Sequence, residues 1–432
     1  MEIRTLNTSE KPKVADFLDS WPLAGGWTAG DRFRRHAEFD PSWSAENVFV
    51  AVEQGELLGT VSVLPRRMQI LGHAIPTGGL GSLFVSPGLR NRGIASELLE
   101  HACDAMRARG LELSVLFPAG PLATHAFFEK RGWYGWGGQQ TILRRDEGAP
   151  RAQGSSSDEG SLSADGSSPA EGSLSAEGSS PAEGSDKKNE ILLEAVRPGD
   201  ARALQSVKSI HAAYAASRSG SVVRDDALWE ACFSLTQSPR EEFWIARRGG
   251  LAVAYARASI VDDVLTLTEL GRFEDGGGAL AQLIGSLLEP RENDPLIPGG
   301  GDGDAAGGVG LDSTDTTESM SAGADASKPG AKLIPFRPRE GDAKSAPALQ
   351  SAELRSFAVL PTFDDIGLTV SLEHRGIRSH PMDDSRAGLR CVNLIGLASR
   401  LDVDLLPGED GPRFLERILP PDAMVFWPAD RF

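Results

Sequence analysis

The sequence predicts an α+β protein in which one strand-and-helix plan is written twice, each copy a mixed central sheet flanked by helices. Three observations carry this. Short apolar or alternating runs of strand length are interleaved with runs of three- and four-residue apolar spacing. The same order of elements restarts at Glu190. Two long tracts, residues 147–188 and 291–350, are so rich in Gly, Ser, Pro and acidic residues that they cannot bury enough surface to order themselves.

At 432 residues the chain is long enough for more than one core. Its net charge of −17 argues against nucleic acid as a partner, because phosphate rewards the opposite sign. Cys103, Cys232 and Cys391 are odd in number and far apart, which fits small buried side chains in a reducing compartment, and no metal-ligand spacing occurs. The first residues lack an apolar leader and no run approaches the roughly 20 apolar residues of a membrane span, so a cytoplasmic protein is expected.

In chain order, 2–6 reads as a strand and 13–18 as part of a helix, followed by a Trp- and Gly-rich stretch, 21–43, that suits a cap over a pocket. Two apolar runs around Gln54-Gly55 read as a hairpin, and Met68–Leu71 with Ile75 continue the meander into Leu80–Val85. That last run is uncharged and ends at Pro87, which cannot donate to a ladder. A helix follows to Arg109, then a strand 111–117, a helix 122–131 ended by Gly132, and a closing strand 133–145. The second copy runs as strand 191–196, helices 200–215 and 225–235, strands 243–246, 251–260 and 264–270, and a helix 276–288. After the insert come strand 356–360, helix 363–374 and strand 390–394, then a short helix 413–419.

The segment between Leu80–Val85 and its helix is the most informative. Amides at a helix start have no intrahelical partners and sit at the positive end of the dipole, so they favour anions. Gly93 admits a phosphate close to the backbone, Ala95 keeps the first turn narrow, and Arg90 and Arg92 offer charged donors. Read alone, the same residues are also compatible with a plain strand-to-helix turn bearing two solvated arginines.

Val85, Pro87, Arg90, Gly93 and Ala95 spell V-x-P-x-x-R-x-x-G-x-A, which resembles the acyl-CoA loop of the GNAT superfamily of N-acetyltransferases. The resemblance implies acetyl-CoA as co-substrate, with the main chain of Leu83, Phe84 and Val85 pairing the pantetheine arm. It also implies that the amides of Asn91, Arg92, Gly93, Ile94, Ala95 and Ser96 hold the pyrophosphate. Two tandem GNAT-like modules with a C-terminal extension resemble the Eis-like acetyltransferases. The expected layout is a GNAT domain over 1–145, a disordered linker over 146–189, a degenerate second GNAT-like domain over 190–402 with a disordered insert at 291–350, and an extension over 403–432. In the second copy the corresponding loop carries Glu274 and Asp275, which would repel a pyrophosphate.

Acetyl transfer to an amine needs a deprotonated nucleophile and a way to neutralise the leaving thiolate. The residues Phe127–Trp133 stand where the family has a tyrosine as acid, and here that position is Phe128, which has no proton to give. Tyr134 and His125 are the alternative proton carriers nearby. For the base, the resemblance offers the terminal carboxylate of Phe432. A cap carrying Trp21, Trp27 and Phe33, with excess acid in the second half, favours a cationic small-molecule or protein amine as acceptor. A non-catalytic acyl-CoA-binding or interaction protein stays open beside the transferase, as does a homo-oligomer.

Overall fold

The computed structural model describes residues 1–23, 26–117, 122–136, 139–146, 190–236, 238–261, 264–289, 357–361, 365–383 and 387–419. The two low-complexity tracts and Phe432 lie outside them. No helix among the described residues is long and apolar enough to cross a membrane.

Two mixed seven-stranded sheets are flanked by helices. The first half supplies β1 (Glu2–Thr5), α1 (Lys11–Leu18), α2 (Ala29–Phe39), β2 (Val48–Glu53), β3 (Glu56–Ile70), β4 (His73–Val85), α3 (Ile94–Ala108), β5 (Leu113–Leu116), α4 (Leu122–Glu129), β6 (Tyr134–Trp136) and β7 (Gln139–Arg145). The second supplies β8 (Ile191–Ala195), α5 (Ala201–Ala215), α6 (Asp226–Ala231), β9 (Glu241–Arg248), β10 (Leu251–Val261), β11 (Val264–Arg272), α7 (Gly277–Leu287), β12 (Phe357–Pro361), α8 (Ile366–Glu373), β13 (Ile377–Asp383), β14 (Ala387–Cys391), α9 (Leu394–Leu401) and α10 (Gly411–Ile418).

The halves exchange strands. The first sheet runs β1-β2-β3-β4-β5-β14-β6 and the second β8-β9-β10-β11-β12-β7-β13. Residues 133–145 therefore do not close the first sheet as one strand. They break into β6, which stays, and β7, which pairs antiparallel with β12 and β13 of the other sheet. In return β14 pairs antiparallel with β5 and β6, with Leu389 opposite both Val115 and Tyr134. The apolar alternation of 139–145 signals a strand and does not say which neighbour it finds. The C-terminal strand likewise lies at 387–391 rather than 390–394, and β13 and α9 escape the sequence reading.

Alternation along β2 sorts the first sheet's two faces. Phe49 and Ala51 join α3 in one core with Leu98, Leu99, Ala102, Cys103 and Met106. Val48 and Val50 point the other way, to Val14 and Leu18 of α1 and Phe33 of α2. Further along that second face Met68, Ile75, Leu113 and Val115 meet Leu397 of α9 and Phe414, Leu415 and Ile418 of α10, so the helices after residue 393 cover the first sheet. Arg400 of α9 reinforces the seam with a two-pronged ion pair to buried Glu112 at 2.8 Å. Cys103 and Cys232 are buried free thiols and Cys391 is partly buried.

Candidate acyl-CoA site

β4 pairs parallel with β5 only from Thr77 to Leu80, opposite Leu113 to Leu116. On its other edge β4 stays with β3, but with a bulge: Gly81 faces Ser62 and Phe84 faces Thr60, so Ser82 and Leu83 oppose the single residue Val61. Ser82 takes φ 51°, unusual for a residue with a side chain, and such a bulge turns a peptide group out of the ladder. Beyond Leu80 the two parallel strands have parted. A cavity of about 970 Å³ opens there, with Leu80–Val85 as one wall and Leu116, Phe117, Phe127 and Phe128 opposite.

α3 begins at the mouth of this cavity. Gly93 is its N-cap at φ 84° in the left-handed region, where L-residues are strained. A Cβ there would meet nothing closer than Glu97 Oε1 at 4.0 Å, so the conformation rather than crowding demands glycine. Leu89, Arg90, Asn91, Gly93, Ile94, Ala95 and Ser96 all line the cavity. Arg131, which the sequence reading did not single out, joins them. Its Nε donates to Ser96 Oγ at 3.0 Å, its Nη1 donates to Phe127 O at 2.7 Å, and its plane lies over the Phe127 ring at 3.8 Å. It is thereby held beside the helix start as a second charged donor after Arg90.

The residues expected at the cofactor converge, with one exception. Leu83, Phe84, Val85, Arg90, Asn91, Gly93, Ile94, Ala95 and Ser96 line one cavity, while Arg92 is exposed and off its wall. The catalytic candidates fare differently. Phe128 does face the cavity, 9% exposed, so the tyrosine position is filled by a ring without a proton. Tyr134 is not a lining residue: it packs with the core beneath α9 and α10. Burial and then the Glu416 carboxylate, to which it hydrogen-bonds, push its phenol above the ordinary value, so the side chain is committed to the opposite face of the sheet from α3. His125 lies on α4 two residues before Phe127, and its side chain is outside the described residues.

The cap is formed by α1 and α2. Thr28 and Asp31 make a reciprocal capping box at the start of α2. Gly30 is packed so tightly on α1 that a Cβ would fall 2.3 Å from Ala15 O. Of the three aromatic residues expected to line the pocket, only Trp21 does, stacked on Phe84 at 5.4 Å and 15°. Phe33 is turned into the core and Trp27 is buried off the cavity. Instead Ala29 and Arg32, three residues apart on one face of α2, reach the cavity.

The far end of α2 is locked by a buried polar cluster. Asp40 accepts from His36 Nδ1 at 2.9 Å, from Ser42 Oγ at 2.8 Å and from the Arg66 guanidinium. Burial, outweighing the Asp40 hydrogen bond, lowers the His36 pKa. His36 and Arg66 hold the Asp40 carboxyl well below the usual carboxylate range despite its own burial. Both groups bind protons more weakly folded than unfolded, so both stabilise at high pH and lose that contribution as pH falls. The unfolding midpoint in urea is expected to drop first as pH falls through about 6.5 and again below about 4. His36→Gln should flatten the upper step. An unchanged midpoint between pH 7.5 and 5.5 would contradict this account.

The second half shows what the same plan looks like when the site is closed. There Arg272 ends β11, Glu274 and Asp275 precede α7, and Arg272 Nη1 donates to Glu274 O at 2.7 Å. Asp365 accepts from Tyr214 Oη at 2.6 Å and from Arg272 Nη2 at 2.6 Å, drawing the start of α8 onto this loop. A Cβ on Gly277 would lie 3.1 Å from Ser371 Oγ, so α8 occupies the space in front of the first turn of α7. An acidic helix start filled in this way disfavours a pyrophosphate.

Residues 2–136 match the family of the acetyltransferase (GNAT) domain. Among solved structures the chain is similar to a GCN5-related N-acetyltransferase from Anabaena variabilis, with 12% identity, a TM-score of 0.51, and 91% of this chain and 74% of that one covered. It is also similar to a protein from Enterococcus faecalis described as a probable N-acyltransferase, with 12% identity, a TM-score of 0.53, and 92% and 74% covered. Eis1 from Mycobacterium abscessus aligns at 14% identity with a TM-score of 0.47, covering 92% of this chain and 75% of that one. These likenesses are of fold. A sequence search of curated proteins finds no match.

Proposed function

We propose that the chain is an acetyl-CoA-dependent N-acetyltransferase whose one acyl-CoA site is the first-half cavity. The observation that supports it most is a single one: a parted, bulged β4 and an α3 N-terminus that is unobstructed among the described residues face the same cavity of about 970 Å³. The β4 edge beyond Leu80, unpaired among the described residues, would offer amide and carbonyl groups to the pantetheine arm as an added strand does. The α3 amides, with Arg90 and Arg131, suit the pyrophosphate. The bulge at Ser82–Leu83 supports a role for a peptide group turned out there as donor to the thioester oxygen as charge develops on it.

In the reaction the neutral amine attacks the thioester carbon, the tetrahedral intermediate collapses with cleavage of the C–S bond, and the amine's proton passes out while the thiolate takes one up. No Asp, Glu, His or Tyr is among the described lining residues. Phe128 has no proton to give, and among the described lining residues none carries one for the thiolate, so we propose water as its proton source. For the base we carry forward the terminal carboxylate of Phe432. Appending one glycine would shift that carboxylate by about 3.5 Å, and turnover is expected to fall on the order of a hundredfold while acetyl-CoA affinity holds. Native turnover by the extended chain would discard this base.

The reading is tested by thiol release from acetyl-CoA on mixing the full chain with a panel of primary amines. Amine-dependent release is expected. Tight binding of acetyl-CoA with no release from any amine would favour the alternative, an acyl-CoA-binding protein in which Phe128 marks lost chemistry.

A further inference from the structure

The acetyl-transfer reading leaves the acceptor unnamed, and the inference here rests on that reading. Arg90, Asn91 and the first turn of α3, with Arg131 pinned to Ser96, are the groups that suit the cofactor. The cap, which contributes nothing to that loop, supplies Trp21, Leu23, Ala29 and Arg32 to the wall. Arg32 is already engaged within the protein, and its charge is drawn to Glu241. What the cap presents to an acceptor is therefore apolar: Trp21, Leu23 and Ala29.

Trp21 is held in place by both its backbone and its ring. Its N–H donates to Leu18 O at 3.0 Å, at the end of α1, and its carbonyl accepts from Ala29 N at 2.8 Å, at the start of α2. Leu23 N donates to Trp27 O at 2.9 Å and Pro22 bridges Thr28, so the two sides of the link between the helices are paired. The indole lies nearly parallel to the Phe84 ring, 5.4 Å away at 15°, and Phe17 meets Phe84 edge-on at 5.2 Å and 68°. A wall fixed in this way costs a ligand little ordering entropy. No Asp or Glu is among the described lining residues, whereas Arg90 and Arg131 are. A polyamine would exchange the water around its several ammonium groups for cationic neighbours, at a cost in free energy. An amine with one nitrogen and an apolar body gives up the hydration of that nitrogen alone, and burial favours the neutral form that attacks the thioester. Its body finds aromatic surface at Trp21, where ring-on-ring packing adds to burial. This replaces the preference for a cationic acceptor that the sequence suggested from Trp21, Trp27 and Phe33, two of which face elsewhere.

We propose that the acceptor is an arylalkyl monoamine and that Trp21 is the residue that selects it. The aromatic body of the acceptor packs against Trp21 and Leu23, and its single amine is presented to the thioester.

The test measures thiol release from acetyl-CoA by the full chain with phenethylamine, ethylamine and spermidine, compared at equal concentrations of unprotonated primary amine. Acetyl-CoA affinity is read separately by calorimetry. Phenethylamine is expected to show kcat/KM about ten- to a hundredfold above ethylamine, the worth of burying one ring, and to exceed spermidine by at least as much. Trp21→Ala should remove most of that advantage, mainly through KM, and Trp21→Phe should keep part of it. Acetyl-CoA affinity should stay within about threefold in both variants, which also certifies that they fold. Equal or better turnover of ethylamine or spermidine by the native chain, an equal loss with phenethylamine and ethylamine in Trp21→Ala, or release with other amines but none of these three overturns the proposal and leaves the transferase reading standing. Absence of thiol release from every amine removes both.

Discussion

Gly93→Glu is expected to abolish acetyl-CoA binding while leaving the protein folded. The two effects separate because of local geometry. Gly93 sits at φ 84°, so any L-residue there costs about 1–2 kcal/mol. The space around it is otherwise open, with only Glu97 Oε1 at 4.0 Å from the Cβ position, and no core contact is disturbed. The new carboxylate, however, lies at the amides that would hold a pyrophosphate, and like charges juxtaposed in a binding site cost several kcal/mol. Affinity should therefore weaken by about a hundredfold or more. Gly93→Ala carries the backbone strain without the charge and should weaken binding by only a few-fold. Calorimetry on the two variants and the native chain reads this directly. Undiminished binding by Gly93→Glu would move the acyl-CoA site away from α3.

The second large effect follows from the strand exchange. A chain of residues 1–146 is expected not to fold, although it contains every element of the first module that the sequence displays. It lacks β14, so β5 and β6 lose the strand between them. It also lacks α9 and α10, which exposes Met68, Ile70, Ile75, Leu113 and Val115, five apolar side chains each 1% exposed or less in the full chain. Exposing side chains of this kind costs about 1.5–3 kcal/mol each, and the sum rivals the whole stability of a domain. The fragment should be insoluble or lack a cooperative transition. Co-expression with residues 190–432 should rescue it, since the exchange needs both segments but not the covalent link. A soluble fragment 1–146 with a melting temperature near that of the full chain would refute the topology.

The exchange also marks where the sequence stops being informative. The repeated plan, the uncharged run to Val85, the amphipathic helix from Ile94 and the loop between them were all legible, because each is a local pattern with a local physical cause. Residues 139–145 were legible as a strand too, yet a period-two pattern carries no address, and the partner is chosen by the sheet that still has an open edge. β13 was missed for a related reason: it contains Pro381 and polar residues, and owes its extended form to pairing with β7. In the site, the amide-bearing loop was readable from Gly93 and Pro87. Arg32 was not, because α2 contains Arg32, Arg34 and Arg35 in one turn and only the docking of α1 at Gly30 decides which faces the cavity. Arg34 pairs with Asp16, Asp19 and Asp31. Tyr134 was proposed for its proximity to Phe128 in sequence, but it lies on β6, where it faces the α10 side of the sheet.

The central claim is that the cavity between the parted strands transfers acetyl groups to amines. The most direct measurement is the mass of an amine acceptor after incubation with the full chain and acetyl-CoA carrying a deuterated acetyl group. The account predicts an acceptor heavier by one labelled acetyl, in step with the thiol released, with both signals lost in Gly93→Glu. Saturating, one-to-one binding of acetyl-CoA that yields neither labelled acceptor nor free thiol would contradict it.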